Sequence, residues 1–365
     1  MQRSTDIGNA TIADVNLAYL ELYVPDTTAA TEYFAQSFGF ARFGVCESAS
    51  HRTVGLAQGA ITLLLTEPKV FDHPGSRYVT EHGAGVADIA MRTGNARAAY
   101  QAAIAAGAQS IAEPIETTDG WVRATVTGLG DLAHTFVQPR TSAAAATRAP
   151  GLTPVGDIHL APLPRLYQVD HLAICLPTGQ LGPVSEFYCQ GLGFRQIFDE
   201  QVTLEGRPAM DSVVVQSLSG SVTLTLIEPS AHATRPGQID EFLAEHRGPG
   251  VQHIAFTTDD IVTTVSALTN RGVAFLPTPA AYYNQLPQRL LPSHHSIANL
   301  AKVGVLADED HHGQLYQIFT RSIHPRRTLF FELIERFGAT TFGAGNIEAL
   351  YAAVAHASRA ERQLA

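Results

Sequence analysis

The chain has 365 residues, of which 45% are hydrophobic and 16% are charged, and its formal net charge is -10 at pH 7. Nucleic acids and anionic membranes are bound by clustered basic faces, so this charge argues against both partners and favours a small-molecule ligand. No stretch approaches the roughly 20 continuous apolar residues of a membrane span, and the N-terminus lacks the apolar core of a signal peptide, which predicts a cytoplasmic protein.

The length allows two domains or one duplicated unit, each with a sizeable core. The cysteines are Cys46, Cys175 and Cys189. Because they are odd in number and scattered, we expect reduced packing residues rather than a disulfide framework. This expectation agrees with a reducing, cytoplasmic environment.

The first predicted elements are a strand at residues 20–24 and a helix that Asp26 can cap. The helix ends at the turn formed by residues 38–40. The same order of strand, helix and glycine-containing turn recurs at residues 169–194. The second half of the chain therefore begins as the first half does.

Two later stretches repeat as well. Residues 59–68 match residues 220–229, and residues 85–90 match residues 250–255. Internal similarity of this kind indicates a duplicated unit. A gene duplication explains the agreement better than chance.

Within each half the order is strand, helix and several strands, and then the same again. The sequence therefore predicts an α+β fold of tandem βαβββ modules that form two open, barrel-like sheets. Residues 141–164 are rich in Ala, Pro, Gly and Thr without a sustained period, which is typical of a linker. We accordingly expect an N-terminal domain over residues 1–140 and a C-terminal domain over residues 165–365.

Three runs of β-forming apolar residues each carry one potential metal ligand, namely His171, His253 or Glu332. Alternation along a strand decides which of its side chains face the interior. Two histidines and one carboxylate on one inner face form the facial triad of a non-haem iron(II) oxygenase, with positions left open for substrate and oxygen. Alignment of the halves places Tyr19 opposite His171 and Asp88 opposite His253, which predicts a single metal site, in the C-terminal half.

Other polar residues compete with this interpretation. A lone histidine on a strand is more often a hydrogen-bonded core or surface residue than a ligand, and only the repeat argues that His171 and His253 lie on paired strands. We expect the pairs at residues 294–295 and 311–312 to be solvated loops, and Glu335 to point outward as a solvated carboxylate. Gln317, in an apolar strand, needs a partner that another strand or a ligand must supply, and beside a metal we favour the ligand.

The C-terminal stretch at residues 346–354 has its apolar residues at the spacing of one helix face. The simplest interpretation is a helix packed on the sheet. Phe342, Gly343 and Gly345 precede it and would let it close over the metal pocket and exclude water.

Together these residues resemble the 4-hydroxyphenylpyruvate dioxygenase family of the vicinal oxygen chelate superfamily, over nearly the whole chain. The stretches that carry the resemblance are residues 169–173, 250–256, 315–320, 330–336 and 342–346. The resemblance implies one Fe(II) per chain, held by His171, His253 and Glu332, with no separate catalytic acid or base. It also implies a pocket for 4-hydroxyphenylpyruvate, lined by Ser212, Thr225, Ile227, Gln238, Gln252, Gln317, Phe319, Phe342 and Ile347.

Departures from the family pattern bear on the product. Members that form homogentisate carry Phe-Pro-Ile-Asn-Glu-Pro at the pocket, whereas residues 224–229 read Leu-Thr-Leu-Ile-Glu-Pro. Thr225 replaces the proline and Ile227 the asparagine, and Ile347 replaces a phenylalanine. These departures resemble the branch of the family that converts 4-hydroxyphenylpyruvate and O2 to 4-hydroxymandelate and CO2, a source of hydroxyphenylglycine for peptide antibiotics.

Two alternatives stay open at this point. One is a homogentisate-forming dioxygenase of tyrosine catabolism, which would share every metal ligand. The other is a non-catalytic protein of the same fold that binds small aromatic molecules. Assembly as a homodimer is also open, because the sequence does not fix the oligomeric state.

Overall fold

The computed structural model describes residues 15–156, 166–204, 207–233, 236–343 and 345–346. The N-terminal half contains β1 (Asn16–Tyr23), α1 (Thr27–Glu32) with a π-helical continuation (Tyr33–Phe38), β2 (Ala41–Glu47), β3 (His51–Gln58), β4 (Ile61–Pro68), α2 (Pro74–His82), β5 (Gly85–Arg92), α3 (Ala96–Ala105), β6 (Ser110–Glu116), β7 (Trp121–Thr127), β8 (Ala133–Pro139), α4 (Ser142–Ala145) and β9 (Thr153–Pro154).

The C-terminal half repeats this plan and adds helices before its last three strands. It contains β10 (Val169–Cys175), α5 (Leu181–Glu186) with a π-helical continuation (Phe187–Gly191), β11 (Arg195–Leu204), β12 (Arg207–Gln216), β13 (Thr223–Pro229), α6 (Gln238–His246), β14 (Gly250–Thr257), α7 (Ile261–Asn270), α8 (Ala280–Arg289), α9 (Ile297–Val303), β15 (Leu306–Asp310), β16 (Gly313–Phe319) and β17 (Phe330–Phe337).

Each half forms one sheet from two βαβββ modules. The strand orders are β6-β7-β8-β5-β1-β4-β3-β2-β9 and β11-β12-β13-β10-β14-β17-β16-β15. The modules meet at an antiparallel pair, β1 with β5 and β10 with β14, while β4 and β13 run parallel to the first strand of their half. The predicted α+β class and the tandem modules are confirmed.

The segment predicted as a linker contains regular secondary structure in its described part. Its α4 and β9 are both formed, and β9 pairs with β2 through Gly44 opposite Pro154 and Val45 opposite Thr153. The described part of the segment thus extends the N-terminal sheet. The domain boundaries themselves stay a prediction, and the predicted C-terminal helix lies outside the described residues apart from Gly345 and Asn346.

The two halves share one hydrophobic core, which lies between the sheets. Phe34 and Phe38, from the first helix and its continuation, each contact the ring of Phe331 on β17 at a centroid distance of 5.4 Å. Large aromatic side chains contribute roughly 1.5–3 kcal/mol each when fully buried, so these contacts fix the halves against each other. The opposite, concave face of each sheet is left to smaller clusters and to polar side chains.

The structure also bears on the cysteines and on membrane-spanning helices. Cys46, Cys175 and Cys189 are all free thiols, as predicted. In the described part of the chain, no helix is both long enough and apolar enough to cross a membrane.

Candidate metal centre

Three neighbouring strands, β10, β14 and β17, bring the predicted ligands to the concave face of the C-terminal sheet. The strand registers place both His171 and Glu332 opposite Ala255, one on each side of β14. His253 lies two residues before Ala255 and therefore on the same face. Because alanine is small, the space above Ala255 is open to the three longer side chains around it.

The three side chains converge on one buried point. Glu332 Oε2 lies 3.4 Å from His171 Nε2 and 3.3 Å from His253 Nε2. One donor atom from each residue lies within 4.8 Å of the other two. The second oxygen of Glu332, Oε1, is buried and has no hydrogen-bond partner in the described structure. An unpartnered buried carboxylate oxygen is costly, and a metal ion bound by two imidazoles and a carboxylate would satisfy it.

The three side chains and Asp170 also shift one another's pKa values. Burial acts to lower the pKa of His171, but Glu332 and Asp170 outweigh it and raise that pKa to about 9. Burial also acts on Glu332, where the two histidines outweigh it and hold its pKa below the usual value. At His253 burial is the dominant effect, and it lowers the pKa. A metal ion would take the place of the proton shared within this cluster.

Asp170 supports the centre, although the sequence analysis gave it no role. His171 Nδ1 donates to Asp170 Oδ1 over 2.8 Å, and Arg336 donates to both oxygens of the same carboxylate, each over 2.8 Å. Asp170 therefore fixes the tautomer that turns Nε2 of His171 toward the centre, as carboxylates do for metal-bound histidines. Burial acts to raise the pKa of Asp170, but Arg336 and His171 hold it well below its usual range.

A β-bulge explains how Asp170 reaches this position. Strict alternation would send it to the face opposite His171. The register of β10 with β14 instead passes from Val169 opposite Phe256 to His171 opposite Ala255, so Asp170 is an extra, unpaired residue.

A second bulge lies beside the other histidine. Ala173 pairs with His253 and Ile174 with Val251, so Gln252 is the extra residue on β14. Gln252 is buried, and its Oε1 lies 3.4 Å from Nδ1 of His253. The structure thus brings Gln252 against a ligand, while its predicted contact with substrate stays a prediction.

Other predicted pocket residues surround the triad. The rings of Phe342 and Phe319 meet those of His171 and His253 edge to face, at centroid distances of 5.1 and 5.8 Å. Gln317 is 1% exposed, and neither its amide oxygen nor its nitrogen has a partner among the described residues. A buried amide without partners agrees with the expectation that a ligand satisfies it.

The position of Gln317 also explains why residue 343 is a glycine. Gly343 has φ +77°, and a methyl group there would lie 2.1 Å from Oε1 of Gln317. Thr225, on β13 opposite Ala173, carries another buried hydroxyl without a partner in the described structure.

The remaining predicted residues form no hydrogen bond with the triad or lie outside the described residues. Ser212, on β12, donates to the Glu200 carbonyl over 3.2 Å and pairs with Ile227. Ile227 is half-buried and packs against the apolar cluster that includes Cys175. Gln238 is exposed at the first turn of α6, and Ile347 lies outside the described residues.

Two expectations about solvent exposure were wrong, one for Glu335 and one for His295. Glu335 points away from the triad as predicted, but it is only 3% exposed, because α7 covers this face of β17. Its carboxylate accepts from the backbone of Ile261 over 3.0 Å and from His295 Nε2 over 2.7 Å. Of the pair at residues 294–295, the side chain of His295 is only 13% exposed, whereas His294 is exposed and stacks on Phe337. The other pair, at residues 311–312, is exposed in a turn as expected.

A second group of potential ligands, Glu81, His82 and Asp131, lies where the two halves meet. Both nitrogens of His82 are already engaged, Nδ1 with the His246 carbonyl at 2.6 Å and Nε2 with Asp131 at 2.9 Å. Asp131 also accepts from Arg77. This group is therefore a hydrogen-bonded contact between the halves.

Comparisons with known proteins agree with the fold and the centre. Residues 168–288 match the glyoxalase/bleomycin resistance protein/dioxygenase superfamily, and residues 11–145 match the N-terminal region of hydroxyphenylpyruvate dioxygenase. The two curled sheets are thus those of the vicinal oxygen chelate fold, as predicted.

Individual relatives identify the family within this superfamily. The 4-hydroxyphenylpyruvate dioxygenase of Dictyostelium discoideum is 32% identical over 92% of this chain and 96% of its own length. That of Aspergillus fumigatus is 31% identical over 92% and 91%. A solved mutant of 4-hydroxymandelate synthase from Streptomyces coelicolor is 38% identical, with a TM-score of 0.81 over 94% of this chain and 98% of that one. The chain belongs to the 4-hydroxyphenylpyruvate dioxygenase family.

Proposed function

We propose that the protein is a 4-hydroxymandelate synthase, an iron(II)-dependent dioxygenase that converts 4-hydroxyphenylpyruvate and O2 to 4-hydroxymandelate and CO2. The observation that carries the proposal is the convergence of His171, His253 and Glu332 on one buried point. These donors and the unpartnered Glu332 oxygen suit an iron ion. Bound iron would supply open positions for the 2-oxo acid and for dioxygen.

The protein's own residues would orient the reactants and exclude water. Asp170 and Gln252 hold the two histidine rings with Nε2 directed inward. Phe319 and Phe342 place apolar rings beside those histidines, where they would keep water from the reacting atoms. Gln317 offers an unpaired amide to a polar group of the substrate.

Two positions support benzylic rather than ring oxidation. The family's homogentisate-forming pattern has proline and asparagine where this chain has Thr225 and Ile227. Ile227 removes a hydrogen-bonding group and adds branched bulk, which would change the orientation of the substrate ring. Small displacements suffice, because reacting atoms must lie within roughly 3–3.5 Å and in line. The 38% identity to a 4-hydroxymandelate synthase supports the same product.

The second candidate is a homogentisate-forming dioxygenase. It is favoured by the curated relatives at 32% and 31% identity, which are named 4-hydroxyphenylpyruvate dioxygenase. It would use the same ligands and differ only in product. A non-catalytic binding protein is disfavoured by the complete set of three ligands.

The test is a product assay. Metal-free protein is mixed anaerobically with iron(II) and 4-hydroxyphenylpyruvate, oxygen is admitted, and the product is identified by NMR against both standards, since the two acids are isomers. Dominant 4-hydroxymandelate supports the proposal, and dominant homogentisate supports the second candidate. Without oxygen consumption, both dioxygenase assignments fail.

A pair of variants tests the role of Ile227. Ile227→Asn, alone and with Thr225→Pro, is expected to shift product toward homogentisate because it restores the polar group. Ile227→Val keeps an apolar branched side chain and serves as the control. An unchanged product ratio in the asparagine variants would contradict the orientation argument.

A further inference from the structure

The concave face of the N-terminal sheet carries a cavity of about 240 Å³ that is open to solvent on one side. Side chains of β1, β3, β4 and β7 line it, together with residues 150–152 of the segment that follows α4. It lies on the face of this sheet that corresponds to the metal centre in the other half. None of the functional assignments made above uses it.

The strand registers define which residues correspond. Tyr19 lies opposite Ala90 as His171 lies opposite Ala255, so Tyr19 occupies a ligand position. Arg123 lies opposite Val137 on β8 as Gln317 lies opposite Ile334 on β17.

The remaining correspondence concerns charge. Glu21 lies opposite Asp88, at the position that Ala173 takes opposite His253. The N-terminal cavity therefore carries an arginine and a carboxylate where the C-terminal pocket has a neutral amide and a methyl group.

Several of these groups lack partners. Tyr19 is 2% exposed and lines the cavity, and its hydroxyl forms no hydrogen bond with any described residue. The Arg123 guanidinium, which is accessible to solvent, forms no close ion pair with a described carboxylate, although the charges of Glu21 and Asp88 act on it from a greater distance. Glu21 accepts from Thr66 through Oε1 over 2.6 Å, and its other oxygen has no protein donor in the described part of the chain. The Tyr19 hydroxyl, the Arg123 guanidinium and one oxygen of Glu21 therefore face the cavity without a close partner among the described residues, which leaves them available to a ligand.

Each histidine at the cavity's edge has its Nδ1 engaged within the protein. Nδ1 of His73 accepts from the backbone of Gly75 over 3.1 Å, where it caps α2. His51 Nδ1 lies 3.1 Å from the Ser48 hydroxyl. Burial, followed by the neighbouring His51, lowers the pKa of His73. The charges available to a ligand are therefore those of Arg123 and Glu21.

We propose that this cavity binds a small α-amino acid as its zwitterion, with the carboxylate on Arg123 and the ammonium group on Glu21. A zwitterion neutralises both side chains at once, whereas a simple anion would place its charge beside Glu21. The rings of Tyr19 and Tyr23 line the same cavity and add favourable contacts for the ammonium group. The volume is below the roughly 300 Å³ at which drug-sized pockets begin and suits a ligand of about the size of an amino acid.

The first test measures binding to the full-length protein by isothermal titration calorimetry, with glycine, L-alanine, L-valine and L-leucine as probes. Aliphatic probes are chosen because they lack the aromatic ring expected at the metal centre. We expect at least one to bind, and its deaminated acid and decarboxylated amine to bind about tenfold more weakly or worse, since each lacks one charge-assisted contact. The absence of binding by all four, or equal binding of the deaminated acid, would overturn the proposal.

Variants then locate the site. Arg123→Gln and Glu21→Gln are each expected to lower the affinity about tenfold or more, and Tyr19→Phe severalfold. Gln317→Met, at the corresponding position of the other half, is the matched control and should leave the affinity unchanged. Far-UV circular dichroism checks that each variant is folded. Wild-type affinity in Arg123→Gln, or a loss confined to Gln317→Met, would overturn the assignment, and the analogue series on the unmodified protein tests it independently of any variant.

Discussion

The concave faces of the two sheets share a backbone and differ in chemistry. The three ligand positions of the C-terminal sheet are occupied in the N-terminal sheet by Tyr19, Asp88 and Thr135. There Asp88 accepts from both the backbone and the hydroxyl of Thr135, so this carboxylate is satisfied within the protein. In the C-terminal sheet the corresponding groups leave a carboxylate oxygen without a partner in the described structure. One scaffold thus carries a closed cluster, the hydrogen-bonded Asp88 and Thr135, in one half and an open donor set in the other.

The bulges sharpen this contrast. Both sheets have the same two register shifts on their central antiparallel pair. The extra residues are Asp170 and Gln252 in the C-terminal half, where each contacts a ligand histidine, and Ala18 and Ala87 in the N-terminal half. The backbone irregularity is therefore common to both halves, whereas the side chains that orient a ligand occur only where ligands occur.

The largest expected effect comes from removing a ligand. His171→Ala, His253→Ala or Glu332→Ala should abolish stable iron binding and lower turnover at least about 1000-fold, because the open positions depend on all three donors. Metal analysis after dialysis and oxygen uptake measure both quantities. Tyr19→Phe, at the matching position of the other half, should keep the iron content of the wild type. A ligand variant with full iron content and turnover would remove that residue from the triad.

Asp170→Asn should have the next largest effect. It keeps the size of the side chain but weakens its contacts with His171 and Arg336, and losses of roughly 10–100-fold in metal affinity are typical for such supporting groups. Iron(II) affinity, measured well below the melting temperature, separates positioning from a general loss of stability. Asp170→Glu, which retains the charge, should recover part of the affinity. If iron affinity is unchanged while stability falls, Asp170 has only a structural role.

Much of this centre could be predicted because duplication and alternation are visible in sequence. The repeat places His171 and His253 on paired strands, and alternation places Glu332 on the same face. The bulges could not be predicted, because an extra residue breaks the alternation on which such a prediction depends. Asp170 and Gln252 reach the ligands only through those bulges.

The burial of Glu335, on the face of β17 that points away from the triad, could not be predicted from the sequence either. Alternation correctly predicted that Glu335 points away from the triad. Its hydrogen-bond partners, however, come from elsewhere in the chain, from the start of α7 and from His295. A signal existed in the adjacent histidines before β15, which could have suggested a partner for a buried carboxylate. Nothing in the local pattern of β17 indicates which helix covers it.

Gln317→Met tests whether the unpaired amide of the C-terminal pocket serves a ligand. Because both amide atoms are buried without partners in the described structure, an apolar side chain of similar size should raise the free energy of unfolding by about 1 kcal/mol. The same change should raise KM for the substrate about tenfold. Urea denaturation and steady-state kinetics measure the two effects.

Gln314, on the same strand, is the matched control for Gln317. Its amide accepts from Ser293 over 2.9 Å and donates to the Leu291 carbonyl over 3.0 Å. Gln314→Met should therefore destabilise the protein and leave KM unchanged. If Gln317→Met also destabilises, its amide has a structural partner and the ligand interpretation is wrong.

Asp88→Asn tests the closed cluster through pH. Burial, with Glu21 adding to it, raises the pKa of Asp88 to about 7, whereas an unfolded aspartate titrates near 3.9. Between these values the folded protein keeps a proton that the unfolded chain releases, so this group lowers stability as pH rises through the window and costs most above pH 7. The free energy of unfolding of Asp88→Asn should therefore rise relative to that of the wild type across the window, by on the order of 1 kcal/mol. Urea denaturation at a series of pH values measures this difference.

Glu332, the buried carboxyl group of the C-terminal half, has a pKa shift of the opposite sign. The pKa of Glu332 is lowered in the metal-free protein, because the two histidines outweigh burial. Its ionised form therefore contributes stability that is present above the pKa of the unfolded chain and is lost as pH falls through the lower, folded value. Glu332→Gln should accordingly destabilise the metal-free protein at neutral pH, where Asp88→Asn stabilises it. If both variants changed stability in the same direction at that pH, the two buried carboxyl groups would not have opposite pKa shifts, and the contrast between the closed cluster and the open donor set would be wrong.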